Sequence, residues 1–65
     1  MPVITMFAPP MTEEQKKELI RAFAEDVSRI LAIEPHAVNT TILEVDPKNV
    51  GVGPETLEAF LAGKH

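Results

Sequence analysis

Val3-Ile4-Thr5-Met6-Phe7-Ala8, then Pro9-Pro10-Met11, then Thr12-Glu13-Glu14-Gln15, set a strand, a stop and a helix start in direct succession. The first segment is an apolar run broken only by Thr5, short enough for a buried strand. Neither proline donates a ladder hydrogen bond, so the strand stops there. Thr12 and Gln15 have the spacing of a capping box, in which the hydroxyl accepts from the Gln15 amide and the Gln15 side chain reaches back. Glu13 and Glu14 suit the positive end of the helix dipole. Leu19, Ile20, Phe23, Val27, Ile30 and Leu31 then recur at helical spacing, which predicts a helix from about 13 to 32. Ala22 and Ala24 widen the apolar stripe. Lys16, Lys17, Glu18, Arg21, Glu25 and Asp26 lie mostly off it, with Lys17–Glu14 and Arg21–Glu25 as the expected ion pairs.

Further along, Glu34-Pro35-His36-Ala37 reads as a connector, because a proline pushes the residue before it out of helical backbone. Residues 38–45 are rich in β-branched side chains and predict a second strand. Asp46-Pro47-Lys48-Asn49 has the residues of a type I turn. Val50-Gly51-Val52-Gly53 predicts a short hairpin or tight bend. Pro54-Glu55 predicts the start of a helical turn anchored by Leu57, Phe60 and Leu61, and residues 63–65 a frayed end. A strand, a long helix and a second strand permit a right-handed crossover between parallel strands. The expected fold class is α/β, a β-α-β subunit with a short C-terminal hairpin or tail. One helix covers one face of such a sheet, and parallel strands need both faces covered. The second face is therefore expected to meet another subunit.

Composition supports the same expectation. The chain has 65 residues, 45% of them apolar, with six basic against ten acidic side chains and a net charge of −4. That length fits one domain, expected over residues 2–65. A domain this small buries only about 60% of the surface its unfolded chain exposes, and usually needs disulfides, a metal or partners. It contains no cysteine. His36 and His65 stand far apart without a surrounding ligand cluster, which argues against a structural zinc site. Oligomerisation remains. The scattered basic residues form no stripe for phosphates, and the absence of Trp and Tyr removes the main stacking surfaces, so no nucleic-acid partner is expected. No apolar run approaches the roughly 18 residues of a membrane span. Residues 1–10 lack the regions of a signal peptide, so a soluble, cytoplasmic protein is the expectation.

Met1-Pro2 carries the chemistry of greatest interest. Removal of Met1 leaves the prolyl nitrogen as a secondary amine, both a base and a nucleophile, attached to the first strand. An ordinary α-amino group has a pKa of about 7.7–8.0, and packing against apolar neighbours such as Val3 and Ile4 lowers it. A neutral amine at pH 7 takes a proton and returns it. Met-Pro is also a common dipeptide by chance, so Pro2 taken alone reads more simply as a strand start than as a catalytic residue.

The chain resembles the 4-oxalocrotonate tautomerase family over about residues 2–60. The matching residues are Pro2-Val3-Ile4 at the start, Thr12-Glu13-Glu14-Gln15-Lys16 opening the helix, Leu19-Ile20-Arg21 within it, and Asn49-Val50-Gly51-Val52-Gly53 near the end. The resemblance implies β-α-β subunits paired into a four-stranded sheet, with three dimers in a homohexamer. It implies cofactor-free chemistry without a metal, in which Pro2 is general base and acid. The substrate it implies is a small enol of a 2-oxo acid or a similar unsaturated carbonyl compound. Typical members hold the substrate with one arginine just before the helix and another early in the second strand, and close the pocket with an aromatic residue. Met11, Asn39 and Val50 stand at those places here. Asn39 offers a neutral amide, weaker toward a carboxylate than an arginine fork. A monocarboxylate or less charged enol therefore fits better than a dicarboxylate such as 2-hydroxymuconate.

Lys48 reads as a solvated turn lysine or as a cation leaning into a neighbouring subunit's pocket. Arg21 reads as a surface or inter-subunit ion pair, Met6 and Phe7 as core in preference to pocket wall, Thr40 and Thr41 as β-formers, His36 as part of the connector, and Glu44 as an edge or interface residue. With both arginines replaced, a second reading stays open, that of a non-catalytic oligomeric or ligand-binding protein.

Overall fold

The capping box forms as expected. Thr12 Oγ1 accepts from the Gln15 amide at 3.1 Å, and Gln15 Oε1 accepts from the Thr12 amide at 2.9 Å. The computed structural model describes residues 1–63. Lys64 and His65, the end of the expected frayed tail, lie outside the described residues. The elements in order are β1 (Val3–Ala8), α1 (Glu13–Leu31), β2 (Asn39–Glu44), β3 (Gly51–Val52), β4 (Glu55–Thr56) and α2 (Leu57–Ala62). β1 and β2 are parallel, with Val3 opposite Asn39 and Ala8 opposite Glu44. The Val45 amide closes the far end of the ladder on the Ala8 carbonyl at 2.8 Å.

The helix ends on Ala32, whose φ of 56° lies in the left-handed region. The Ile33 amide reaches back to the Ser28 carbonyl at 3.1 Å, a Schellman-type closure. A residue with a Cβ is strained there by about 1–2 kcal/mol. Ala32→Gly is therefore expected to raise stability by about 1 kcal/mol, read as a higher denaturation midpoint.

The two connectors fold into 3-10 turns. Pro35–Ala37 is capped by Glu34 and Pro47–Asn49 by Asp46. The Gly-Val-Gly segment is a hairpin, β3 against antiparallel β4, and Gly53 at its tip has φ 60°. Pro54-Glu55 does not start a helix. Glu55 pairs with Val52, and the helix cap is Thr56, whose hydroxyl accepts from the Ala59 amide at 3.1 Å. The hydroxyl cap captures the helix start one residue beyond the hairpin. On α1, Lys17 pairs with Glu13 at 3.6 Å rather than with Glu14, and Arg21–Glu25 is not among the ion pairs of the described residues.

Burial is where the subunit departs from a self-sufficient domain. Ile4, Met6 and Ala8 turn inward, and Val3, Thr5 and Phe7 outward. Ala8 is the only buried residue among those described, while Val3 and Phe7 are each 68% exposed. Phe7 is thus not core within the chain, because α1 covers only the opposite sheet face. Leu61, an expected anchor, is 61% exposed, and Ile20, Ile30 and Leu31 of the helical stripe also face outward. The radius of gyration is 15.1 Å, against about 11 Å for a compact chain of this length. The accessible surface is 4986 Å², whereas a folded monomer of this mass exposes about 4100 Å². Val3, Phe7, Ile30, Leu31 and Leu61 are each more than half exposed, and apolar side chains exposed together mark a surface that a partner covers.

Candidate active site

Pro2 immediately precedes β1 and is half-buried. Its carbonyl accepts from the Asn39 amide at 3.0 Å, which extends the ladder one step beyond the Val3–Asn39 pair. Pro2 and Asn39 are therefore neighbours at one end of the sheet. The Asn39 residue is exposed, and its side chain makes no hydrogen bond among the described residues.

Met11 lies at the other end. Its amide donates to Glu44 Oε2 at 3.0 Å, and Lys16 Nζ sits 2.9 Å from the same oxygen. Glu44 closes β2, so its carboxylate clamps the loop after β1 and the first turn of α1 to the sheet. The Met11 amide and, after it, the Lys16 ammonium hold the Glu44 carboxyl below its ordinary value of 4.5. A depressed carboxyl contributes stability that is complete above the ordinary value and is lost as pH falls through the folded-state value. The denaturation midpoint is accordingly expected to drop at acid pH below about 4.5, and Glu44→Gln to flatten that acid limb. A sequence pattern shows Glu44 only as a strand end, since its partner Met11 is 33 residues away.

The strand between these two ends has six residues, so about 20 Å separates Pro2 from the Met11 loop at 3.3 Å per residue. Lys48 and Val50 follow the far end of β2. Lys48 is exposed in the 3-10 turn, its amide donating to Asp46 Oδ1 at 2.9 Å. Val50 is half-buried, and its carbonyl accepts from the Leu57 amide at 2.6 Å. Within one protomer, then, Pro2 and Asn39 come together, and Met11, Lys48 and Val50 do not join them.

A groove of about 520 Å³ opens between β1 and α1, walled by Met6, Pro9, Pro10, Met11 and Leu19. Gln15 and Glu18 are its polar side chains. Its size is that of a small-molecule pocket. The Thr40 hydroxyl is buried and lacks a hydrogen-bond partner. His36 is exposed, its Nδ1 lying 3.0 Å from Glu34 Oε1, and that contact lowers the Glu34 carboxyl. The same carboxylate caps the turn through the His36 amide at 3.2 Å, a structural role.

The sequence profile described as "Tautomerase enzyme" matches residues 3–59. The chain belongs to the tautomerase family. Among solved structures, an apo unfused 4-OT is 32% identical, covering 91% of this chain and 98% of that one, with a TM-score of 0.84. A 4-oxalocrotonate tautomerase isozyme from Methylibium petroleiphilum is 28% identical over 95% of this chain and 98% of that one, with a TM-score of 0.83. DmpI from Helicobacter pylori is 29% identical over 89% and 98%, with a TM-score of 0.81. No curated protein matches. The β-α-β unit and C-terminal hairpin of this chain are thus those of 4-oxalocrotonate tautomerase structures, and its family supports a tautomerase-type function. Among the described residues, no helix is long and apolar enough to cross a membrane.

Proposed function

We propose that the protein is a cofactor-free enol–keto tautomerase acting on a 2-oxo acid or similar unsaturated carbonyl compound, with Pro2 as general base and acid. The observation that carries this reading is the position of Pro2, half-buried at the head of β1 with its carbonyl held by the Asn39 amide, in a chain of the tautomerase family. Removal of Met1 frees the prolyl nitrogen, and residues 2–65 are the working unit. The neutral amine takes the enol O–H proton, and the ammonium so formed delivers a proton to carbon, leaving a C=O and a new C–H bond. No net charge or redox equivalent is exchanged.

The catalytic unit is an oligomer, a hexamer of three dimers. The open edge of β1 pairs antiparallel with that of a second copy, making a four-stranded sheet. Antiparallel pairing sets the start of one β1 beside the end of the other, which brings Pro2 of one copy to the Met11 loop and groove of its neighbour. The 20 Å separation within one protomer is then the reason for assembly rather than an obstacle to catalysis. Asn39 is placed to hold a substrate oxygen beside Pro2. Met11 and Val50 supply apolar wall, and Lys48, which has no ion pair among the described residues, is the cation available from a neighbouring copy. With no arginine at these positions, a monocarboxylate enol is preferred to a dicarboxylate.

Ketonisation of phenylenolpyruvate, with 2-hydroxymuconate beside it, tests the reading. Intact mass must first show that Met1 is absent. A rate well above buffer, faster for the monocarboxylate, is expected. No rate for either enol would favour the binding protein, for which the replacement of both arginines by Met11 and Asn39 argues.

A further inference from the structure

We infer that Glu44 is a positioning residue that acts across the subunit boundary, holding the Met11 loop of its own chain in place as a wall beside the neighbouring copy's Pro2. This deepens the proposed function and rests on its antiparallel pairing of two β1 strands. The loop enters through Ala8, whose carbonyl accepts from the Val45 amide at 2.8 Å. It leaves through Thr12, whose amide donates to Gln15 Oε1 at 2.9 Å. Between them, Pro9 and Pro10 have no N–H. Met11 therefore carries the one backbone donor between Ala8 and Thr12, and that donor goes to Glu44 Oε2 at 3.0 Å. Lys16 Nζ, 2.9 Å from the same oxygen, ties the carboxylate to the first turn of α1. Glu44 is opposite Ala8 in the parallel register, so its carboxylate reaches the loop at the point where β1 ends. All these bonds lie within one chain, and none depends on what covers the protomer.

Two consecutive prolines stiffen the loop, so a single charge-assisted bond fixes the place of Met11. Glu44 and its own Pro2 stand at opposite ends of the six-residue strand pair, and the site that the clamp serves is the one headed by the neighbour's Pro2. Without the clamp the Met11 wall shifts, which weakens substrate binding more than the proton transfer itself. Glu44→Ala is expected to lower kcat/KM by about tenfold, most of it in KM. Glu44→Gln keeps an oxygen acceptor for the Met11 amide and is expected to stay within about threefold of wild type.

The test uses mixed oligomers, co-expressed with two different C-terminal tags and purified through both. In an equal mixture of Pro2→Ala and Glu44→Ala copies, random pairing sets an intact Pro2 beside an intact clamp at about a quarter of the sites. That mixture is expected to show about a quarter of the wild-type kcat/KM for phenylenolpyruvate, against about a twentieth if Glu44 acts on its own chain's Pro2. A second mixture needs no turnover. Copies with ¹⁵N-labelled proline and native Glu44 are combined with unlabelled Glu44→Ala copies. Once Met1 is removed, Pro2 is the one proline whose nitrogen is an amine, and its signal is expected to split in two, one for each kind of neighbour. Unlabelled wild-type copies should leave it single. If Glu44→Ala fails to assemble, Glu44→Asp, which keeps the charge and shortens the reach by one methylene, takes its place in both mixtures. A rate near a twentieth of wild type in the first mixture, or an unsplit Pro2 signal in the second, would overturn the inference. A split signal in a protein that ketonises no enol would leave Glu44 its positioning role and remove only the catalytic reading.

Discussion

Pro2→Ala is expected to slow enol ketonisation by about 10²–10³-fold, within the range that a positioned acid–base group supplies. The substitution leaves an amine once Met1 is removed, so the loss should fall short of complete. What disappears is the ring, which makes the nitrogen a secondary amine and ties it rigidly to Cα through the side chain. The head of β1 stays anchored, because the carbonyl that accepts from the Asn39 amide belongs to the backbone. Assembly and circular dichroism should therefore match wild type while the rate falls. The pH profile carries the sign. The neutral amine is the base, so the rate declines as pH drops through its ionisation and the nitrogen becomes protonated. Apolar packing would set that ionisation below the ordinary 7.7–8.0 of an α-amino group. An unchanged rate in Pro2→Ala would remove Pro2 from the mechanism.

Phe7→Asp is expected to break the assembly and, with it, the fold. Phe7 is 68% exposed in the protomer, and the outward sheet face it shares with Val3 and Leu43 has no cover within the chain. Covering one such phenylalanine contributes about 1.5–3 kcal/mol per subunit, and an unpaired carboxylate placed there adds a desolvation penalty. With Ala8 alone buried among the described residues, a released protomer has little core to fall back on. Sedimentation should shift from the oligomer to single chains, and cooperative thermal unfolding should vanish. Phe7→Leu, which keeps an apolar side chain, should assemble with a lower midpoint. A Phe7→Asp protein that stays folded as a monomer would contradict the account, since a surface substitution on an independent domain changes stability little.

Much of this architecture was legible in local pattern. The strand at 3–8, its proline stop, the Thr12–Gln15 box and the helix after it depend on residues a few positions apart, and the structure has them within a residue of expectation. The second strand and the hairpin followed from β-branched composition and the alternating glycines. What local pattern hid was decided at longer range. The apolar spacing of α1 identifies a stripe but not its cover, so Ile30 and Leu31 read like Phe23 although they face outward. Phe7 read as core for the same reason. Pro54 competed with Thr56 as a helix start, and strand pairing of Glu55 with Val52 decided for Thr56. The Glu44 clamp joins groups 33 residues apart and has no sequence signature. Of the candidate site, Pro2 and Asn39 come together through the parallel register itself, whereas the relation of Pro2 to Met11 depends on a second chain.

The most direct measurement is a titration of the Pro2 nitrogen by ¹⁵N NMR in the assembled, Met1-free protein, with the pH dependence of kcat/KM for phenylenolpyruvate recorded in the same buffers. The account predicts one shared ionisation, below the ordinary α-amino range, with the rate rising as the amine loses its proton. A rate that ignores the Pro2 ionisation, or that rises as the amine gains its proton, would contradict the account.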